Sequence, residues 1–295
     1  MQLPSNGNMQ EHLKPEFAAA PYVHPFNQPK YHAQICHALA FAKANKKKNM
    51  WVVATDWPTD GAEINDKGEL ERRRFLWLQK HDRDTAGIMG LLPLVVGMPM
   101  RLTETENRRN GAFKHSQAFL FGLGLPPEEI ARIEACDDNE IVLRCRPKFL
   151  RVKLKTATAE LKKISPEGIW DLKPKKKLWK LGHMKISRIG FHVVPDFAGT
   201  AHAYCGSSLE KGKCDLLHWA AKPSWDSLRR GYIIRSRFAA ADDSLIVRPY
   251  SPGLFRLGKV PGPSLLLDRQ LNRLTLRECK DRWESAGAPE EDVAS

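Results

Sequence analysis

Between Arg144 and Arg188 the sequence holds fifteen lysines and arginines against three acids, a net of +12 in a chain whose formal net charge is +13. A basic segment this concentrated attracts polyanions, because each phosphate it neutralises releases condensed counterions. The arrangement adds to the composition. Arg144, Arg146 and Lys148 alternate with Leu143, Cys145 and Phe149; after a slip at Leu150, Arg151, Lys153 and Lys155 alternate with Val152 and Leu154. Period-two alternation predicts strands with cations on one face and apolar side chains on the other. These six cations are the candidate contacts to nucleic acid, and a solvated basic face is the alternative that spacing leaves open.

Other residue groups suggest chemistry less strongly. His202, Cys205, Cys214 and His218 offer four zinc-ligand types, but their spacing is not that of a standard finger, so buried thiols are expected and no metal site. Asp56, Asp60, Asp82 and Asp84 read as turn-forming acids. Trp170 and Trp179, set among lysines, are the tryptophans best placed for base stacking, with a core position the favoured assignment even for them. The six cysteines show no tight spacing, which suits reduced thiols in an intracellular protein, nuclear or cytoplasmic. Lys173-Pro-Lys-Lys-Lys177 resembles a short nuclear import signal, a common type of cluster.

The elements that must position these residues follow from periodicity. The 295 residues are 42% hydrophobic and 27% charged, as in a globular protein with a sizeable core. No apolar window reaches bilayer length, so no membrane partner is expected, and the first residues lack the apolar run of a secretory signal. Helices are expected from Tyr31 to Lys46, Asp66 to His81 and Trp225 to Arg237, and buried strands at Met50–Ala54, Phe191–Pro195, Cys214–Trp219 and Leu245–Val247. Between them, short alternating segments at 94–102, 119–125 and 140–155 suggest a small barrel. The fold class expected is α/β, interrupted by a β insertion and then resumed. The boundaries are a loose terminus at 1–20, a first α/β part at 21–90, the basic insertion at 91–185, a second α/β part at 186–260 and a tail at 261–295.

Several segments, in order, resemble the Pif/RecD-type superfamily-one DNA helicases. Leu92-Pro-Leu-Val-Val-Gly-Met-Pro-Met-Arg-Leu-Thr103 looks like the family's L-x-V-G-x-P-V-x-L strand, Thr200-Ala-His-Ala-Tyr-Cys-Gly-Ser-Ser-Leu209 like T-x-H-K-x-Q-G-x-T-L, and Tyr232-Ile-Ile-Arg-Ser-Arg237 like Y-V-A-x-S-R. The resemblance covers roughly residues 20 to 260. It implies the second RecA-like domain of such a helicase, a parallel-sheet domain interrupted by a small antiparallel β-barrel. By position it assigns Thr200, His202 and Ser207 to single-stranded DNA and Arg237 to the phosphates of ATP. The family's glutamine and lysine are replaced by Cys205 and Ala203, which removes an amide pair and a phosphate contact. Arg235 stands where the family has a small or apolar residue.

No G-x-x-x-x-G-K-[ST] occurs in the sequence, and the acidic magnesium-binding strand has no counterpart. Without that cradle there is no phosphoryl transfer. ATP and Mg²⁺ are therefore expected only if the missing first motor domain is present, and otherwise no cofactor. The expectation is a DNA-binding region, catalytically incomplete alone, with single-stranded DNA as partner. Its alternatives are a helicase subunit completed in trans by a motor domain, and an interaction module of a degenerate mobile-element protein.

Overall fold

The protein is described here from a computed structural model, which covers Phe17 and residues 20–59, 66–204, 208–216, 222–251, 253–256 and 261–285; the side chains of 27–29, His202 and 261–264 lie outside that description. It is a mixed α/β protein with parallel and antiparallel sheets. The described residues divide into two compact units, one from Gln28–Ala198 and one from the segments 1–27 and 199–295. The first helix and the Met50 strand share a unit with the basic segment.

The unit Gln28–Ala198 is built round an antiparallel five-stranded sheet in the order Val193–Pro195, Pro99–Leu102, Gln117–Leu123, Leu150–Leu154, Ile169–Leu172. Pro99 opens its strand, the position where a missing N–H is tolerated. Gly97, at φ +93°, makes the turn that splits the expected single strand at 94–102 in two. No pairing among the described residues closes this sheet into the barrel expected from the sequence. One face carries Met100, Leu102, Ala118, Leu120, Leu150, Val152 and Leu154 into the main core.

Two three-stranded sheets complete the unit. Asn49–Val53 pairs antiparallel with Leu91–Leu94 and parallel with Glu140–Val142. Met184–Gly190 pairs antiparallel with both Lys175–Leu181 and Thr55–Pro58. The helix Asn27–Ala44 occurs close to its expected span, and Lys67–Leu78 is capped by Asp66, whose side chain accepts from the Gly68 N–H at 2.8 Å. Phe191–Pro195 was expected in the resumed α/β part; instead Val193–Pro195 edges the antiparallel sheet, because an apolar run states that a strand is buried and not which strand it pairs with.

The other unit holds the parallel pairings Tyr22–His24 with Gly212–Cys214 and Gly212–Cys214 with Ser244–Ile246. Its core is Val23, Ala201, Tyr204, Cys214, Leu216, Ile234 and Leu254. The helix Trp225–Arg235 starts at Ser224, whose side chain accepts from the Ser227 N–H while the Ser227 hydroxyl accepts from the Ser224 N–H. Just past the strand ends, Asp215 accepts from Tyr22 Oη at 2.9 Å and Arg248 Nε at 2.6 Å and lies 3.0 Å from His24 Nε2. Burial opposes the charge on Asp215, but the bonds from His24 and Arg248 outweigh it and hold the carboxyl below the usual range. The segment read as a tail contains helices Pro261–Gln270 and Leu276–Ser285. Residues 1–16 and 286–295 lie outside the described residues. No helix among the described residues is long and apolar enough to cross a membrane.

Candidate nucleic-acid interface

The strand Leu150–Leu154 has the alternation expected of it. Leu150, Val152 and Leu154 are buried, while Arg151, Lys153 and Lys155 are exposed. The neighbouring strand supplies aromatics to the outer face. Phe119 is 37% exposed and Phe121 51%, whereas the smaller Ala118 and Leu120 face the core. Phe119 is the register partner of Lys153, and the Lys155 ammonium stands 5.3 Å from its ring centroid. Phe149 lies 5.0 Å from the Arg151 guanidinium; it packs on Gly124, where a Cβ would sit 2.6 Å from the ring. Arg151 is committed to Asp171 through two bonds of 2.9 and 3.0 Å. Neither Lys153 nor Lys155 makes a salt bridge among the described residues, although the Lys155 charge acts on Asp196. Cations interleaved with exposed rings are the two components of a single-strand platform: charge for phosphates, π-faces for bases.

The first half of the alternating stretch is different. The strand ends at Val142, and Arg144, Arg146 and Lys148 sit in irregular chain before the next strand. The reason is local. Glu129 of the helix Pro127–Ala135 accepts the Arg144 N–H at 2.9 Å, and Pro147 has no N–H to offer. Glu129 is itself held at low pKa by hydrogen bonds from Arg132, so it stays an acceptor. Arg144 and Lys148 are exposed; Arg146 is half-buried, donating to Thr55 Oγ1 at 3.1 Å and to the Ile189 carbonyl at 3.4 Å. Arg144 and Arg146 border a cleft of 590 Å³ together with Trp57, Arg74 and Phe75.

In the other unit, Thr200 ends the strand Ala198–Thr200 and is half-buried, followed by a 3₁₀ turn at Ala201–Tyr204. The side chain of His202, and Cys205 and Ser207 altogether, lie outside the described residues. The helix ends at Arg235, two residues before its expected end, so Arg237 sits in the turn beyond it. Its guanidinium donates to the Ile233 carbonyl at 3.1 Å, the Tyr204 carbonyl at 3.3 Å and Ser236 Oγ at 2.9 Å. Its own carbonyl accepts from the Leu209 N–H at 2.8 Å. Arg237 therefore fastens the Thr200–Leu209 segment to the helix end, joining the two segments singled out in the sequence. Arg235 bonds to the Ser244 hydroxyl.

Asp56, Arg188 and Trp179 are internal. Asp56, expected in a turn, is buried and makes a bidentate pair of 2.7 and 2.7 Å with Arg188, which is fully buried and also donates to the Ile88 and Trp77 carbonyls. Arg188 thus drops out of the surface charge. Trp179 packs in the core against Trp77, edge-on at 6.4 Å, so it is no stacking surface, and the half-buried Trp170 packs against the main core. Lys175 and Lys177 pair with Glu106 and Glu104, beside the buried His192 whose imidazole burial holds below its usual range. Of the four zinc-ligand types only Cys214 is fully described, and burial pushes its thiol up to about 12. The exposed rings Phe119, Phe121 and Trp57 were not singled out as surface. For the phenylalanines the signal was present: in Ala-Phe-Leu-Phe both faces are apolar, and the smaller set faced inward.

No family model matches the sequence, and no curated protein matches it. Among solved structures the chain is similar to the Pif1 helicase from Candida albicans, with 14% identity over 81% of this chain and 51% of that one and a TM-score of 0.43. It is similar to a structure of DNA unwinding at forked duplex DNA by two coordinating Pif1 helicases, at 11% identity over 92% and 45%, TM-score 0.47. It is similar also to the Pif1 helicase from Bacteroides in complex with ADP-AlF3 and ssDNA, at 10% identity over 86% and 44%, TM-score 0.45. The chain spans about half the length of these structures or slightly less.

Proposed function

We propose that this chain binds single-stranded DNA on the outer face of its five-stranded sheet and does not hydrolyse ATP unaided. The observation that carries the reading is the juxtaposition of Phe119 and Phe121 with Lys153 and Lys155 on one exposed face. Bases stack on the rings while ammonium groups neutralise the adjoining phosphates, a mode that tolerates any sequence because every base has a π-face. The resemblance of the Thr200–Leu209 and Tyr232–Arg237 segments to helicase motifs supports DNA over other polyanions. The absence of a phosphate-binding loop from the sequence supports catalytic incompleteness; a motor domain in trans would be the partner that supplies ATP and Mg²⁺.

The test is titration of a labelled single-stranded oligonucleotide by anisotropy. Phe119→Ala should cost about 1–3 kcal/mol of binding, the usual worth of one stacked base. Lys153→Glu with Lys155→Glu should weaken binding at least about tenfold at low salt. Both sets lie on the solvent side of the sheet, so unchanged thermal unfolding is the control. Affinity unaffected by either change would refute the assignment, and DNA-stimulated ATP hydrolysis by the chain alone would refute the second half.

A further inference from the structure

We infer that the cleft between Thr55–Pro58, the helix Lys67–Leu78 and residues 143–146 is a second binding site, one that takes a nucleotide unit: a flat base with its phosphate. As a stop on a bound DNA strand it rests on the function proposed above; as a nucleotide site it stands on its own chemistry. Its volume of 590 Å³ falls within the range of small-molecule sites. Two large rings border it, with Trp57 50% exposed and Phe75 62%, in a lining that mixes aliphatic side chains such as Val53 and Leu143 with arginines. Trp57 is already held in place. The Arg74 guanidinium covers one ring face at 3.8 Å, and Arg74 is itself fixed by Glu71 at 2.8 Å and the Asp56 carbonyl at 3.1 Å. A ring immobilised from one side loses little entropy when a base stacks on the other.

The charge balance of the cleft favours an anion. Its two carboxylates are spent, Glu71 on Arg74 and Asp56 on the buried Arg188. Neither the Arg144 nor the Arg146 guanidinium makes a salt bridge among the described residues, although Glu129, which accepts the Arg144 N–H, feels the Arg144 charge; Arg146 is oriented by Thr55. A guanidinium fork suits a phosphate oxygen pair. The cleft is also close to the sheet face along the chain: Phe149 lies three positions beyond Arg146, a span of at most roughly 11 Å. One short strand can therefore serve both, with the arginines taking a phosphate as a base meets Trp57.

The experiment uses Cys145, which borders the cleft and is half-buried, as a reporter, with the exposed Cys36 as internal reference. Alkylation of each thiol is followed by mass spectrometry with no addition, with a short single-stranded oligonucleotide, and with AMP. Protection of Cys145 but not Cys36 is expected with the oligonucleotide. Trp57→Ala and Arg144→Ala should each weaken oligonucleotide binding about tenfold, within the range for loss of a stacked base or phosphate contact, and Trp57→Phe should restore most of the first loss. If DNA binds and depends on Phe119 and Lys153 while Cys145 labels at an unchanged rate and Trp57→Ala binds normally, the cleft assignment is overturned and the sheet assignment survives. If DNA fails to bind but AMP protects Cys145, the cleft stands as a mononucleotide site and the sheet assignment falls. Protection by neither, together with no DNA binding, overturns both.

Discussion

At the scale of single residues, charge in this chain divides by burial rather than by position in the sequence. Arg151, Lys153 and Arg188 belong to one basic run, yet Lys153 faces solvent, Arg151 is balanced by Asp171 and Arg188 is a core residue with its donors turned to Asp56, Trp77 and Ile88. Burying a guanidinium is tolerable only because its partners are all in place. Arg188→Met should therefore leave Asp56 charged and unpaired, with a loss of about 3–5 kcal/mol in urea unfolding monitored by tryptophan fluorescence. A loss under about 1 kcal/mol would mean that the pair contributes little to the fold. The same substitution should not change the salt dependence of DNA binding, since Arg188 has no route to a phosphate.

At the scale of elements, polar ties fix how strands meet. In the unit with the parallel sheet, Asp215 draws together Tyr22 and His24 from the first strand and Arg248 from beyond the last. Its folded pKa lies below the unfolded value of about 3.9, so its contribution is fully present above that pH and is lost as pH falls through the folded pKa. An acid titration of this unit, followed by hydrogen exchange at the Val23 and Cys214 amides, should show protection falling below about pH 4. In Asp215→Asn, protection should be lower at neutral pH and nearly flat in that range. Equal pH dependence in both proteins would show that other groups govern acid unfolding. Arg237 acts in a similar way, tying the Tyr204 turn to the helix end through backbone carbonyls.

At the scale of the whole molecule, the net charge of +13 favours encounter with DNA, while the number of phosphates neutralised sets the salt dependence of binding. If Arg144, Arg146, Lys153 and Lys155 each neutralise one phosphate, log K against log salt should fall with a slope of about −3, taking roughly 0.7 per phosphate on a single strand. Reversing Lys153 and Lys155 should roughly halve that slope. A slope near zero would exclude phosphate binding altogether, whatever the affinity. The partition into two compact units adds that Arg144–Lys155, with their aromatic neighbours, lie in a unit separate from Thr200 and Arg237. Variants on the sheet face should therefore leave the Asp215 acid response unchanged.

Much was determined by the sequence alone: the α/β class, the helices expected at 31–46 and 66–81 and found at Asn27–Ala44 and Lys67–Leu78, and the exposed row Arg151, Lys153, Lys155 alternating with Val152 and Leu154. Those follow from local periodicity, which an amphipathic helix or half-buried strand imposes on neighbouring residues. Strand pairing, the open form of the five-stranded sheet, the burial of Asp56 and Arg188, and the exposure of Phe119, Phe121 and Trp57 were decided only by the tertiary structure. These depend on partners more than a hundred residues away, such as Asp56 and Arg188, or on which of two apolar faces packs better. Spacing within a single strand carries no record of either.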